Sequence, residues 1–131
     1  LSIRRQRQMC IRDRIKGVNF EYAKKLTAVN AINLASIAWS PPSVNKLSIG
    51  GIVQASVKFK WEKVEGSKIL GYKIYWRDTT NPEWQYERFV GNVDQYILEG
   101  IVIDNFFFGL ATVGINGFES PVVFPNGIFR D

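Results

Sequence analysis

The chain has 131 residues, of which 46% are hydrophobic and 22% charged, with 17 Lys and Arg against 12 Asp and Glu, one Cys and no His. This length suits one domain with a hydrophobic core and excludes two large ones. The lack of His argues against a Ser-His-Asp triad, a Cys-His pair and nearly every catalytic zinc site, so we expect no catalytic residue, cofactor or metal site in this chain.

Residues 1–16 account for the whole net charge of +5, because they hold six basic side chains and one acidic one. The string IRRQRQMCIRDR at 3–14 has neither helical nor strand periodicity, and it resembles the translated sequencing-adapter read-through found in metagenomic assemblies. We therefore expect an artefactual or disordered leader over 1–16, in a fragment whose native N-terminal part is missing. The functional alternative is an arginine-rich arm that binds nucleic acid.

The rest of the chain gives no sign of a membrane or nucleic-acid partner. No window contains the roughly 18–20 uninterrupted apolar residues of a membrane helix, and no apolar segment follows the arginines as in a secretory signal. Cys10 is alone, so an internal disulfide is excluded. We predict no membrane span and no nucleic-acid binding.

A helix is predicted over 17–40. Asn19 is a suitable N-cap, and Pro41-Pro42 ends the helix. Apolar and small residues recur at three- and four-residue steps, and Ala28, Val29 and Ile32 make the second half apolar nearly all round. The stripe contains Phe20, Ala23, Leu26, Thr27, Asn30, Ala31, Leu34, Ile37 and Ala38. We expect this helix to belong to a larger, missing domain and to dock through Phe20, Leu26, Leu34 and Ile37. The alternative is a helix that packs on its own sandwich.

After Pro41-Pro42, apolar residues recur at every second position. Ala55, Val57, Phe59 and Trp61 alternate with polar residues, and so do Leu70, Tyr72, Ile74 and Trp76. Further strand-like runs are 84–90, 95–98, 105–115 and 121–124, separated by short loops with Asn, Gly and Pro. This pattern predicts an all-β antiparallel sandwich of about seven strands over 41–131, preceded by one α-helix.

The order of the strand residues resembles a fibronectin type III domain, an immunoglobulin-like fold. The resemblance lies in Trp61 on the second strand, then Gly71-Tyr72-x-Ile74-x-Trp76-Arg77, then Phe106-x-Phe108-x-Leu110. It predicts an inward layer formed by Trp61, Tyr72, Ile74, Phe106, Phe108 and Leu110. The family often has Tyr where Phe106 stands, so we expect the hydrogen bond of that hydroxyl to be lost here.

A narrower resemblance covers residues 18–125. FEYAKKLTAVNAINLASIAWSPPSV, GYKIYWRDTTNPEWQ and DNFFFGLATVGINGFESPVVFP are similar to the C-terminal end of bacterial family-28 metallopeptidases, in which the last catalytic helix leads into a fibronectin-like module. The resemblance implies a non-catalytic accessory module of a secreted or cell-envelope zinc aminopeptidase, docked on its own missing catalytic domain. Zinc would belong to the parent, because the family's His, Asp and Glu ligands have no counterparts in this chain.

The competing prediction is a free-standing binding module for protein or carbohydrate ligands. Tyr75 faces away from the inward layer, while Trp84 and Tyr86 lie on the following predicted strand. Together with Arg77 they predict an outward aromatic surface, which would dock a neighbouring domain, stack a ligand or form ordinary half-buried contacts. Asn116-Gly117 and Gly50-Gly51 are both interpreted as turns. Gly50-Gly51 is not expected to bind phosphate, because no helix follows it.

Overall fold

The computed structural model describes residues 15–51, 55–66 and 68–129. The predicted leader over 1–16 therefore lies mostly outside the described residues. The boundary between two compact units falls between Ala38 and Trp39. The helical unit and the sandwich unit are described separately below.

The helical unit contains a short 3₁₀ turn, Ile15–Gly17, and helix α1, Phe20–Trp39, except for its last residue, Trp39, which belongs to the sandwich unit. Asn19 caps α1, because its Oδ1 accepts a hydrogen bond from the Tyr22 N–H at 3.0 Å and its carbonyl accepts one from the Ala23 N–H at 2.9 Å. The predicted N-cap is thereby confirmed. None of the twenty residues of α1, all of which the structure describes, is buried.

Seven strands are present in the described part of the sandwich unit. They are β1 (Asn45–Gly50), β2 (Ser56–Glu62), β3 (Ile69–Asp78), β4 (Tyr86–Gly91), β5 (Gln95–Glu99), β6 (Phe106–Gly114) and β7 (Gly127–Ile128). The first sheet has the order β5-β2-β1-β7 and the second has the order β4-β3-β6. All pairs are antiparallel except β1 with β7, which is parallel.

The C-terminal segment differs from the prediction. Residues 121–124 form no strand, and they contribute one isolated bridge, between Val123 and Leu110 on β6. Their backbone nevertheless follows the edge of β6, since Val123 and Leu110 exchange two hydrogen bonds of 2.9 Å. The chain then crosses to the first sheet, where Gly127 and Ile128 pair with β1. This final strand was not predicted, because two residues carry no periodicity.

The core lies between the two sheets and contains the predicted inward layer. Trp61, Tyr72, Ile74, Phe108 and Leu110 are buried, and Phe106 packs against them from the rim of the core. Aromatic rings meet edge to face, with centroids 5.3 Å apart for Trp61 and Tyr72 and 5.5 Å apart for Phe59 and Phe108. This geometry is favourable for aromatic pairs. The prediction of these six core residues is confirmed.

Two details of the predicted strands are wrong. Leu70 is 53% exposed, because the pairing of β3 with β6 shifts register between Ile69 and Gly71 and turns Leu70 outward. Ala55 precedes β2 and is exposed.

At Gly71 an added Cβ would lie 2.6 Å from the Gly91 carbonyl carbon, so the close approach of β3 and β4 requires glycine there.

A tyrosine hydroxyl does bind the backbone in this sandwich, although Phe106 has none. The Tyr72 hydroxyl, in the fully buried centre of β3, accepts a hydrogen bond of 2.8 Å from the Val64 N–H. This bond fastens the segment between β2 and β3 to the core.

Candidate functional site

The outer surface of the second sheet is set by alternation along β3. Tyr72 and Ile74 point into the core, so Lys73, Tyr75 and Arg77 lie on the opposite face. In the register with β6, Tyr75 is opposite Gly109 and Arg77 is opposite Phe107. We call Tyr75, Arg77, Trp84, Phe107 and Phe124 the aromatic face.

Trp84 is the central ring of the aromatic face. Its centroid lies 5.9 Å from that of Tyr75 and 5.5 Å from that of Phe124. The Arg77 guanidinium lies 5.6 Å from the Trp84 ring and 4.8 Å from the Phe107 ring, within the range of cation–π attraction. The surface therefore combines half-buried rings with a cation held among them.

Gly109 allows Trp84 and the segment around Val122 to lie close against the outer surface of the second sheet. A Cβ at Gly109 would lie 2.3 Å from the Val122 side chain and 3.0 Å from the Trp84 ring. The absence of a side chain thus leaves room for Trp84 and for the segment that follows the edge of β6.

The structure brings together three of the four predicted surface residues, namely Tyr75, Trp84 and Arg77. Trp84 precedes β4 and does not lie on it. Tyr86 is on β4 opposite Trp76 and stacks on that ring at 5.5 Å, so it lies on the core side of the sheet. Its predicted place on the outward surface is not observed, because the register between β3 and β4 pairs it with Trp76, and paired residues share a face of the sheet.

Sequence reasoning missed Phe107 and Phe124 as members of this face. Phe107 is 44% and Phe124 50% exposed, so they are its most accessible rings. Strict alternation along Phe106-Phe107-Phe108 would have placed Phe107 outward, since its two neighbours were assigned to the core. Phe124 carried no such signal, because its place depends on pairing between distant segments.

Glu119 joins two strand residues beside the aromatic face. Its carboxylate accepts a hydrogen bond from the Tyr75 hydroxyl and lies 2.5 Å from the Lys73 Nζ, while Glu87 lies 3.5 Å from the same nitrogen. The hydrogen bond with Glu119 raises the pKa of Lys73 above its usual value. Burial, reinforced by the bond with Glu119, raises the pKa of Tyr75. Lys73 therefore stays charged and Tyr75 stays neutral at physiological pH, and neither is prepared for acid–base catalysis.

A groove lies at the start of the sandwich unit, with a volume of about 580 Å³. Trp39, Pro41, Ile69 and Ile115 are among the residues that line it. The Trp39 ring packs on Phe118 at 5.5 Å, and the Asn116 Nδ2 donates a hydrogen bond of 3.1 Å to the Trp39 carbonyl. The turn at Asn116-Gly117 therefore fastens Trp39 to the sandwich.

The predicted docking residues of α1 are solvent-exposed. The exposed fractions are 66% for Phe20, 50% for Leu26, 68% for Leu34 and 65% for Ile37. Val29 and Ile32 are exposed as well, so apolar side chains occupy much of the circumference of α1.

Within 15–51, 55–66 and 68–129, no group of three or more His, Cys, Asp or Glu side chains is arranged to hold a metal ion. In the same part of the chain, no helix has the length and apolar character needed to cross a membrane.

Curated proteins similar to this chain are named as zinc proteases. A "Probable zinc metalloprotease" of Pyrenophora tritici-repentis is 34% identical over 116 residues, which cover 86% of this chain and 27% of the relative. A protein of the same name from Pyricularia oryzae is 29% identical over 117 residues, which cover 86% of this chain and 23% of that relative. The chain thus spans about a quarter of the length of these relatives. No protein-family model matches it.

Solved structures establish the fold. The fn3 domain of the human collagen alpha-1(XX) chain superposes with a TM-score of 0.55 at 11% identity, covering 71% of this chain and 91% of that one. Module A71 of titin from human cardiac muscle gives a TM-score of 0.51 at 26% identity, and the superposition covers 63% of this chain and 86% of the titin module. The chain is therefore an α-helix followed by a fibronectin type III-like sandwich, and the predicted fold class is confirmed.

Proposed function

We propose that this chain is a non-catalytic, C-terminal accessory module of a zinc-dependent peptidase. The observation that carries the proposal is the match to a protein named zinc metalloprotease, in which the matched segment is only 27% of the relative. A fibronectin type III-like sandwich is a scaffold that supports many functions, so the fold is compatible with an accessory role and does not itself specify catalysis. In this proposal the zinc ions and the general base belong to the remaining three quarters of the parent protein.

The helix and the sandwich belong together in this proposal. The sandwich unit, Trp39–Asp131, has 93 residues, whereas a match to 86% of the 131-residue chain must extend into residues 1–38. A relative that shares both parts supports a helix that joins the sandwich to the rest of the protease. We propose that Phe20, Leu26, Leu34 and Ile37 dock on the catalytic domain, where they would be removed from water.

The aminopeptidase activity and the secreted or periplasmic location are finer parts of the same proposal. They derive from the sequence resemblance to family-28 metallopeptidases. The similar proteins described above come from fungi, so a bacterial source remains a prediction.

A second candidate function is ligand binding by the sandwich. The aromatic face favours it, because Phe107 and Phe124 present accessible rings beside the Arg77 guanidinium. Such a surface would stack a protein side chain or a sugar ring. The same rings would also serve as a contact with the catalytic domain.

An exchange in the fungal relative tests the accessory role. The matched segment of the Pyrenophora tritici-repentis protein is replaced by this chain, and zinc content, thermal stability and hydrolysis of aminoacyl and peptide substrates are measured. We expect the chimera to be stable and active, and the same protein without the segment to be less stable. Equal stability and activity without the segment would contradict the accessory role.

Substitutions on α1 test the docking. Leu34→Asp and Ile37→Asp in the chimera should lower its melting temperature and its yield of active enzyme, because each would place a charge in an apolar contact. Lys24→Asp and Lys25→Asp, at exposed polar positions of the same helix, are the matched controls. If both pairs have the same effect, the docking proposal fails while the accessory role stands. For this chain alone, we expect no stoichiometric zinc after dialysis and no aminopeptidase activity.

A further inference from the structure

The sequence contains two Asn-Gly pairs, Asn116-Gly117 and Asn126-Gly127. In such a pair the backbone nitrogen of the glycine can attack the side-chain amide carbon of the asparagine. Glycine favours this attack because it has no Cβ to shield its nitrogen and lets the backbone rotate freely. Both sites share the Asn-Gly pair, so we look to the fold for a large difference between them.

Asn116 lies in the exposed turn after β6. The Phe118 N–H donates a hydrogen bond of 3.2 Å to the Asn116 Oδ1, the oxygen on which negative charge develops during the attack. Gly117 is exposed, has a φ of +82°, and an added Cβ would meet no atom within 4 Å, so water reaches this residue. The Gly117 N–H donates to the Gly114 carbonyl at 3.0 Å, and this bond must open before the attack.

Asn126 lies in a different environment. Its N–H donates to the Leu47 carbonyl at 2.9 Å, and Gly127 pairs with Ser48 of β1. The Phe129 N–H then donates to the Ile49 carbonyl at 3.1 Å. The dipeptide is held extended between two bonds of the β ladder, so closing a ring there would require β7 to leave the first sheet.

We propose that Asn116 is a site of non-enzymatic deamidation in the folded protein. The Gly117 nitrogen forms a bond to the Asn116 Cγ and loses its proton to water. The Nδ2 amide group takes a proton from water, the bond from Cγ to Nδ2 breaks, and ammonia leaves. Water then opens the resulting succinimide at either carbonyl carbon, giving aspartate or isoaspartate.

The modification has a structural consequence at the start of the sandwich. Nδ2 is the atom that donates to the Trp39 carbonyl at 3.1 Å, and it leaves as ammonia. The product carries a carboxylate, which has no proton to donate at neutral pH. Deamidation therefore removes the hydrogen bond that fastens Trp39 to the sandwich. This inference is independent of the proposed function.

The test is a time course of the full chain at mildly alkaline pH, followed by peptide mapping and isoaspartate detection. In the folded chain, the peptide containing Asn116 should convert several-fold faster than the peptide containing Asn126. In urea the two peptides should convert at similar rates. Equal rates in the folded chain, faster conversion at Asn126, or conversion in urea alone would each overturn the proposal.

Two variants complete the test. Asn116→Gln should abolish most of the ammonia released by the folded chain, because the longer side chain closes a ring much more slowly. Asn126→Gln is the matched control and should leave the release unchanged. Peptide mapping of the unsubstituted chain decides the outcome if Asn116→Gln impairs folding.

Discussion

Replacing Tyr72 by Phe tests the hydrogen bond between the core and the segment before β3. The substitution removes one hydroxyl and keeps the ring that packs 5.3 Å from Trp61, so no large cavity forms. The Val64 N–H loses its acceptor at 2.8 Å. An unsatisfied donor of this kind costs about 1–2 kcal/mol. For a sandwich of this size, each 1 kcal/mol corresponds to a melting temperature lower by about 4–8 °C.

The assay is urea unfolding followed by tryptophan fluorescence, with the midpoint and the slope fitted separately. The midpoint should fall by about 1 M while the slope is unchanged, since the surface exposed on unfolding is nearly the same. Tyr96→Phe is the matched control, because the Tyr96 hydroxyl accepts an exposed bond of 3.3 Å from Arg88. Its removal should cost less than about 0.5 kcal/mol. If the two variants lose equal stability, the Tyr72 hydroxyl has no special role and the reasoning is refuted.

Four further outcomes are expected. Gly109→Val should expose the outer surface of the second sheet, because the new side chain would take the space that Trp84 and Val122 occupy. Binding of a hydrophobic dye should therefore increase, and unchanged binding would contradict this expectation. Glu119→Gln should cost about 1 kcal/mol near neutral pH in urea unfolding, because the ion pair with Lys73 is lost. Since the pKa values of Lys73 and Tyr75 are raised in the folded state, the stability that these two groups contribute is complete below about pH 10 and is lost as the pH rises further. Measuring the free energy of unfolding of the unsubstituted chain against pH should show this loss, and Glu119→Gln should make the loss smaller. Phe59→Ala should cost about 3–5 kcal/mol, and a cost below 1 kcal/mol would contradict its place in the core.

Local patterns were sufficient for much of the fold. The cap at Asn19 and the double proline marked the two ends of α1, because both signals act on neighbouring backbone groups, although the predicted range of 17–40 began three residues too early. The alternation around Phe59 and Tyr72 identified the core, since period-two burial is a property of each strand alone. The sandwich followed from the number and spacing of such segments.

The remaining parts depend on contacts between distant residues. Gly127 and Ile128 form a strand only because β1 provides a parallel edge for them. Leu70 is exposed because the register between β3 and β6 shifts, which the sequence of β3 does not reveal. Tyr86 lies on the core side of the second sheet, because it pairs with Trp76 across β3 and β4. The aromatic face was therefore predicted in its centre and missed at Phe107 and Phe124, its accessible positions.

The path of residues 118–129 has a consequence for synthesis on the ribosome. These residues bond first to β6 and then to β1, so one late segment completes an edge of each sheet. An uncovered strand edge is a template for wrong pairing with other chains. During translation both edges remain open until this segment has left the exit tunnel, and any domain made earlier has had time to fold by then. We therefore expect nascent chains that stop before Val123 to require chaperones, and closure of both sheet edges to be a late step in the folding of the sandwich unit.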